Sequence, residues 1–221
     1  MNLTSPKRLS PFCLALLLFA PTGSISAQVL APTQLPHSVD DHYNHLRTLR
    51  AHYAEHYTGM GLDRTETGTL LLKKPGLMRW SYDQPPAKLF VLDGKYAWFY
   101  TPGDPQISRA PAKQLDDLRS PLRLLLGHTQ LAKELDSLTT APEGSNFKIT
   151  GVPKGMANRV RLLTLIVTPT GAIERMKLEE ADGAVTEFTF TNIEEDIPLK
   201  PSDFTFTPPP GVPIVEALPP I

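Results

Sequence analysis

The sequence predicts a mainly β protein with one domain, built as a curved antiparallel sheet whose apolar face is covered by short helices. Residues 68–102 contain four short apolar runs separated by three turn signals rich in proline or glycine, which is typical of a meander of strands. In residues 146–206 apolar and polar side chains alternate, which is typical of a sheet with one solvent-exposed face. Between these two segments, leucines recur at helical spacing. Two sets of strands flanking a helical insertion therefore define the predicted architecture.

The first 27 residues have the composition of a secretory signal peptide. Lys7 and Arg8 supply the positive start, residues 12–20 are apolar, and residues 24–27 are small enough for cleavage. The apolar run is too short for a permanent membrane span. We therefore divide the chain into a signal peptide, residues 1–27, and a single exported domain, residues 28–221.

Cysteine content and charge exclude further classes of protein. The single cysteine, Cys13, lies inside the signal, so the exported domain has neither a thiol nor a disulfide. Cys13 lies at the start of the apolar run, whereas the cysteine that anchors a lipoprotein follows it. Removing the signal takes away two bases and no acids, which changes the net charge from −1 to −3. We expect a soluble protein with no nucleic-acid partner.

Near the start of the domain, the spacing of apolar residues predicts one long helix. Ser38 can cap its first turn, and the glycines at positions 59 and 61 would end it. Apolar residues at intervals of three, four or seven would form one buried stripe. They are Val39, Tyr43, Leu46, Tyr53 and Tyr57.

Ten segments are predicted as strands because they are short, apolar or alternating, and bounded by turn residues. The first set is residues 65–74, 77–82, 88–93, 96–101 and 106–110, and the second set is residues 146–151, 159–168, 173–181, 184–192 and 203–206.

The insertion between the two sets is predicted to form two or three short helices. Leu115, Leu118, Leu122, Leu125 and Leu126 have helical spacing, and a further short helix would carry Leu131, Leu135 and Leu138. Residues 139–145 are predicted as a polar loop. The last stretch, residues 208–221, contains six prolines and is expected to be extended or frayed.

Alternation along the strands predicts one apolar face, which we expect to line a cavity. A sheet covered by movable helices, instead of by a second sheet, can open that cavity. The candidate wall residues are Leu70, Leu72, Met78, Trp80, Leu89, Val91, Trp98, Met176, Leu178, Phe188 and Phe190. The two tryptophans could equally be core residues, and the two interpretations merge if the cavity is the core.

One motif allows an alternative class, a zinc peptidase. His52-Tyr53-Ala54-Glu55-His56 has the H-x-x-E-H spacing, which on a helix places two histidines on one metal, and Glu134 could be a third ligand. His42 and His45 lie on the same flank of the predicted helix, which favours a histidine-rich surface with adventitious metal binding. The sequence contains no G-x-S-x-G elbow and no glycine-rich phosphate loop. We therefore expect no catalytic residue, no metal site, no cofactor and no enzyme activity.

Several motifs together resemble the periplasmic outer-membrane lipoprotein carrier family. They are residues 68–80 (GTLLLKKPGLMRW), 84–85 (QP), 92–95 (LDGK), 98–102 (WFYTP) and 204–212 (FTFTPPPGV). The resemblance implies a single-domain incomplete antiparallel β-barrel of ten to eleven strands under a helical lid. It also implies a soluble, monomeric periplasmic chaperone. Such a carrier takes lipoproteins from an ATP-driven releasing complex of the inner membrane, shields their acyl chains, and passes them to an outer-membrane receptor without a cofactor. In this interpretation Leu118, Leu122, Leu125 and Leu126 belong to the lid.

Two positions depart from the family pattern. Lys74 stands where the family commonly has an arginine that tethers the closed lid, so the resemblance makes Lys74 the lid-closure contact. A lysine lacks the planar fork of arginine. Met78 stands where the family often has an aromatic residue, and methionine adapts easily to varied ligands.

Other functions on the same fold remain open. They are an envelope carrier or a sensor for another lipid, and a lipid-anchored acceptor, against which the position of Cys13 argues. An apolar cavity does not by itself identify its ligand.

Overall fold

The computed structural model describes residues 1, 34–84, 86–117 and 130–217. Beyond Met1, the predicted signal peptide lies outside the described residues. The four lid leucines, Leu118, Leu122, Leu125 and Leu126, also lie outside them.

The described residues form one twelve-stranded sheet with short helices, which confirms the predicted mainly β fold. The order of strands is β12-β6-β5-β4-β3-β2-β1-β11-β10-β9-β8-β7, and the two ends of this order are not paired with each other. The elements are α1 Leu35–His45, β1 Thr48–Gly59, β2 Leu62–Lys73, β3 Leu77–Tyr82, β4 Leu89–Asp93, β5 Tyr96–Tyr100, β6 Ile107–Pro111, α2 Ala112–Asp117, α3 Leu131–Glu134, β7 Leu135–Glu143, β8 Asn146–Pro153, β9 Val160–Val167, β10 Ile173–Glu180, β11 Val185–Glu195, a 3-10 helix Pro201–Phe204 and β12 Ile214–Glu216.

Two meanders compose the sheet. Strands β1 to β6 and strands β7 to β11 each pair with their neighbours in sequence, all antiparallel, and β1 joins the two sets by pairing with β11. The terminal strand β12 is different, because it pairs in parallel with β6. Buried residues from both meanders meet in one core, so the sheet curves around it as an incomplete barrel.

The predicted long N-terminal helix is wrong in its second half. Helix α1 ends at His45, and residues 48–59 form strand β1. The error has a physical cause, because an interval of four, such as that from Tyr53 to Tyr57, places residues on one face of a strand as well as of a helix. Pairing with β2 and β11 decides between them, and Ala51 and Tyr53 are buried while His52 is exposed.

Three other predicted elements are corrected. Helix α3 contains only Leu131–Glu134, and the residues expected as its continuation and as a polar loop form β7. Residues 201–204 are a 3-10 helix, not part of a strand. The predicted extended tail contributes β12. Together with β1 and β7, which were also not predicted as strands, it gives the sheet twelve strands where ten to eleven were expected. The predicted bounds of Leu77–Tyr82 are confirmed.

Helix α1 packs against the core at the end of the sheet where β10 begins. Leu35 and Val39 are buried, and the Tyr43 hydroxyl accepts a hydrogen bond from the Ile173 amide at 3.1 Å. The close approach requires Gly171, since a Cβ there would lie 2.2 Å from the carbonyl oxygen of Ser38. Asp40 of α1 accepts a hydrogen bond from the Leu131 amide at 3.0 Å, which connects α1 with α3.

The opposite face of the first meander is covered by residues 197–217, which we call the C-terminal strap. Two basic side chains hold it through its carbonyl oxygens. Lys73 donates to Leu199 at 2.5 Å, and Arg79 donates to Asp203 and Thr205 at 3.4 and 3.3 Å. Phe206 and Val212 of the strap pack on a second, smaller apolar cluster. The face turned toward the main core is called the inner face below, and the face under the strap the outer face.

Candidate functional site

The inner face is a continuous apolar surface that crosses both meanders. Leu70 pairs with Trp80 and Leu72 with Met78 across β2 and β3, which aligns their side chains on this face. Eight of the predicted wall residues lie here in one cluster, six of them buried and two partly buried: Leu70, Leu72, Met78, Trp80, Met176 and Phe190, with Leu178 and Phe188. The alternation within these strands therefore predicted their shared face correctly.

Three predicted wall residues lie elsewhere. Val91 pairs with Arg79, and Leu89 pairs with Ser81, so both occupy the outer face. Trp98 pairs with Val91 and packs with it under the C-terminal strap. Their assignment to the same face as Met78 and Trp80 is wrong. Alternation shows which residues of one strand share a face, but it does not show which residues of the next strand, after the turn, lie on that same face.

Phe90 and Leu92 take the inner positions of β4 that were expected for Leu89 and Val91. Phe90 pairs with Trp80 and Leu92 with Met78. Both residues belong to the apolar run of β4, but only the register with β3 shows that they, and not Leu89 and Val91, face inward.

Aromatic rings gather at the middle of the inner face. The ring centroid of Trp80 lies 4.7 Å from that of Tyr53 and 5.3 Å from that of Phe188. Tyr53 also contacts Tyr82 edge to face, with centroids 5.5 Å apart. Gly68 opposite Tyr53 makes the room, since a Cβ there would lie 2.5 Å from the Tyr53 hydroxyl oxygen. Sequence reasoning missed Tyr53 as an inner-face residue because it was placed on a helix.

Burial decreases along the inner face away from α1. On β11, Phe190 is buried and Phe188 is half-buried, and on β10 Met176 is buried while Leu178 is half-buried. On β3, Trp80 is buried and Tyr82 is half-buried. The inner face therefore has a closed end near α1 and a more accessible end, which we call the polar end because Glu55, Glu66, Tyr82 and Lys88 meet there.

Hydrogen bonds organise the polar end. The Tyr82 hydroxyl donates to Glu55 at 2.8 Å, and Lys88 donates to Glu66 at 2.5 Å while its ammonium lies 4.3 Å from the centre of the Tyr82 ring. Burial raises the pKa of Tyr82, and the nearby Glu55 carboxylate raises it further. Tyr82 therefore stays a neutral donor.

Lys74 follows β2 at the end of the sheet near α1. Its ammonium is buried and has no hydrogen-bond partner among the described residues. Burial lowers the pKa of Lys74, and Asp196 partly opposes this effect. Lys74 also borders a cleft of about 310 Å³ that Arg47, Lys73 and Asp196 line. Its predicted partner, the lid, lies outside the described residues, so its role stays a prediction.

The histidines of the alternative metal motif are not arranged as that motif requires. His52 and His56 lie on strand β1, where four residues span roughly 13 Å, too far for one metal ion. His56 contacts Asp63 at 2.9 Å, and His42 contacts Glu195 at 2.9 Å. Across the described ranges, no three histidine, cysteine or acidic side chains are grouped to hold a metal. The zinc-peptidase alternative is therefore contradicted.

An open sheet curved around an apolar inner face, with small helices packed at one end, defines the class of incomplete β-barrels. Within this class, the chain belongs to the family of the outer membrane lipoprotein carrier protein LolA, whose family model matches residues 45–207. None of the helices within the described ranges is long and apolar enough to cross a membrane.

Similar sequences carry the same description. An outer-membrane lipoprotein carrier protein of Nitrosomonas europaea is 32% identical over 154 residues, which cover 69% of this chain and 73% of the relative. Another from Nitrosospira multiformis is 30% identical and covers 76% of this chain and 82% of the relative. A third, from Salmonella typhi, is 31% identical over 66% of this chain and 70% of the relative. These relatives agree with the family model.

Similar solved structures support the fold. An uncharacterized conserved protein from Thermus thermophilus has a TM-score of 0.51 at 14% identity, covering 84% of this chain and 98% of that chain. The Mycobacterium tuberculosis lipoprotein LppX has a TM-score of 0.50 at 16% identity, covering 77% of this chain and 99% of its own. At these identities the likeness concerns architecture alone.

Proposed function

We propose that this protein is a soluble periplasmic carrier that shields the acyl chains of lipoproteins between two membranes. It takes them from an ATP-driven releasing complex of the inner membrane and gives them to a receptor of the outer membrane. Membership of the carrier family supports the lipoprotein cargo. The observation that carries acyl-chain binding is the apolar inner face, where leucine, methionine and aromatic side chains from both meanders meet.

The chemistry of the inner face suits acyl chains. Each methylene removed from water contributes about 0.8 kcal/mol, so a free acylated protein would aggregate or return to a membrane. Met78 and Met176 are unbranched and can adapt to different chains. The work of the carrier is binding, and we propose that it proceeds without a cofactor or a chemical reaction.

Loading must compete with the protein's own side chains. Leu35 and Val39 of α1 are buried against the core, and residues such as Leu70 and Met78 are 1% exposed. Acyl chains can therefore reach the middle of the inner face only if a helix or the lid moves away. A closed state that competes with cargo keeps binding reversible, which a shuttle needs for delivery.

Lys74 is proposed as the residue that holds the lid closed. Its buried ammonium lacks a hydrogen-bond partner in the part of the chain that the structure describes, and a buried cation without partners is costly. Carbonyl oxygens of the lid, including the segment with Leu118, Leu122, Leu125 and Leu126, would satisfy it.

Release of a tagged lipoprotein from spheroplasts tests the proposal. Residues 28–221, purified without the signal, should move the lipoprotein into the soluble fraction and form a one-to-one complex with it. Membranes incubated with an unrelated exported protein give the background. Release at background level would refute the lipoprotein carrier. Soluble complexes that contain phospholipid and no lipoprotein would instead identify a carrier for another lipid.

A further inference from the structure

The two carboxylates at the polar end of the inner face, Glu55 and Glu66, have different surroundings among the described residues. Glu66 has Lys88 at 2.5 Å and Arg64 at 3.7 Å. Glu55 accepts a hydrogen bond from Tyr82, but no cation lies within salt-bridge distance of it in the described part of the chain. Glu55 and Glu66 pair directly across β1 and β2, an arrangement in which two like charges repel. Lys88 and Arg64 relieve this repulsion by contacting Glu66 instead of Glu55.

A buried hydroxyl also lies near Glu55. The Tyr53 hydroxyl oxygen is inaccessible and makes no hydrogen bond to any described residue. Its ring packs edge to face on Tyr82. Burial raises the pKa of Tyr53, and Tyr82, Glu55 and Asp83 nearby raise it further. This inaccessible hydroxyl thus lies next to Tyr82, which is where the inner face becomes accessible.

Apolar side chains surround these groups. Glu55 pairs with Phe188 across β1 and β11, and Phe188 packs on Trp80 with centroids 5.3 Å apart. A ligand whose chain lies on the rings of the inner face would therefore place its head group at Glu55. The charged side chains around that head are Glu55, Glu66, Lys88 and Arg64. Both basic side chains contact Glu66, so the carboxylate beside the rings, Glu55, is the one that a head group would meet.

We propose that the polar end, with Glu55 as its acceptor and Tyr82 as its positioning residue, binds a head group that donates N–H hydrogen bonds and disfavours an anionic head. This inference rests on the proposed function and adds to it the chemistry of the group attached to the acyl chains. The N–H donor can be the amide at the acylated start of a lipoprotein or the ammonium of an ethanolamine phospholipid, and both share this chemistry.

Ligands with the same chain and different heads test the inference at pH 7. Displacement of a fluorescent fatty-acid analogue from residues 28–221 should show dodecylammonium binding about tenfold more tightly than dodecanoate, since Glu55 attracts one head and repels the other. In Glu55→Gln the two affinities should agree within about twofold, because the carboxamide keeps the size and loses the charge. Tyr82→Phe should reduce the preference without removing it.

Glu187→Gln is the matched control. Glu187 is one residue from Phe188 on β11 but contacts Arg175 at 3.8 Å on the other face, so its variant should keep the tenfold preference. Equal binding of both ligands by the unmodified protein, or an unchanged preference in Glu55→Gln, overturns the inference. Failure to bind either ligand overturns acyl-chain binding itself and the proposed function with it.

A second comparison separates the two sources of the N–H donor. N-dodecanoyl-glycinamide carries the amide of an acylated peptide, and lauroyl lysophosphatidylethanolamine carries the ammonium. Weakening of the first alone by Glu55→Gln assigns the polar end to lipoprotein cargo, and weakening of the second alone assigns it to phospholipid. If the variant weakens neither, the inference is wrong.

Discussion

Gly68 provides the sharpest test of how the inner face is packed. A Cβ at this position would lie 2.1 Å from the carbonyl oxygen of Ser81 and 2.5 Å from the hydroxyl oxygen of Tyr53. The carbonyl belongs to the backbone of the neighbouring strand β3, so relief requires a shift of that strand and not of a flexible side chain alone. Overpacking of this kind costs about 1–3 kcal/mol. The lower entropy of an unfolded chain with alanine returns about 0.4–1 kcal/mol.

The expected result for Gly68→Ala is therefore a loss of about 1–2 kcal/mol in the free energy of unfolding, because the smaller entropic gain is subtracted from the cost of overpacking. For a domain of this size, that loss corresponds to a fall in Tm of about 2–8 °C. Urea unfolding followed by tryptophan fluorescence measures it, since Trp80 lies 4.7 Å from Tyr53 in the affected cluster. Thr69→Ala, on the opposite face of the same strand, should stay within about 0.5 kcal/mol.

A double variant separates steric conflict from loss of flexibility. If the Cβ conflicts with Tyr53, the double variant should lose clearly less free energy of unfolding than the sum of the losses in Gly68→Ala and Tyr53→Leu. A Gly68→Ala protein as stable as the unmodified one would refute the packing described for β1, β2 and β3.

Three further predictions follow from other parts of the structure. Lys74→Leu should weaken lid closure, which would be seen as faster loading and less complete handover of lipoprotein. Lys74→Arg should load and hand over lipoprotein at the rates of the unmodified protein. Unchanged loading and handover in Lys74→Leu would contradict the proposed contact. Trp80→Ala and Trp98→Ala should each destabilise the fold by about 3–5 kcal/mol, yet only Trp80→Ala should weaken acyl-chain binding, because Trp98 lies under the C-terminal strap. Equal weakening by both would contradict the assignment of faces. Burial raises the pKa of Tyr43, so the neutral hydroxyl stabilises the fold below the ordinary tyrosine pKa of about 10, and this stability is lost above it at up to about 1.4 kcal/mol per pH unit. Tyr43→Phe should therefore reduce the slope of the free energy of unfolding against alkaline pH. An unchanged slope would count against the buried hydroxyl.

Local pattern predicted the strands that are bounded by strong turn signals. Residues 77–82 follow Pro75-Gly76, precede Pro85-Pro86 and alternate cleanly, and the structure has the strand with the same bounds. The alternation of Met176 with Leu178, and of Phe188 with Phe190, also identified a shared face. These successes depend on information that lies within one strand or one turn.

The errors occur where a distant partner decides the conformation. Residues 48–59 suit a helix or a strand by spacing, and pairing with β2 and β11 selects the strand. That error hid the inner-face roles of Tyr53 and Glu55. Val91 and Phe90 are both apolar, and only the register with Arg79 and Trp80 determines which one faces inward. No alternation within β4 contains this information.

The position of β1 between the two meanders has a consequence for folding. Every pairing within a meander joins neighbours in sequence, whereas β1 and β11 bring together Tyr53 and Phe190 from opposite halves of the chain. Closing so large a loop costs entropy before any contact compensates, so we expect this pairing to form late and to limit the folding rate. The contact between Trp80 and Phe188 cannot exist earlier, because it crosses the same junction. Under the proposed function, the chain should thus become able to hold acyl chains only in the last step of its folding.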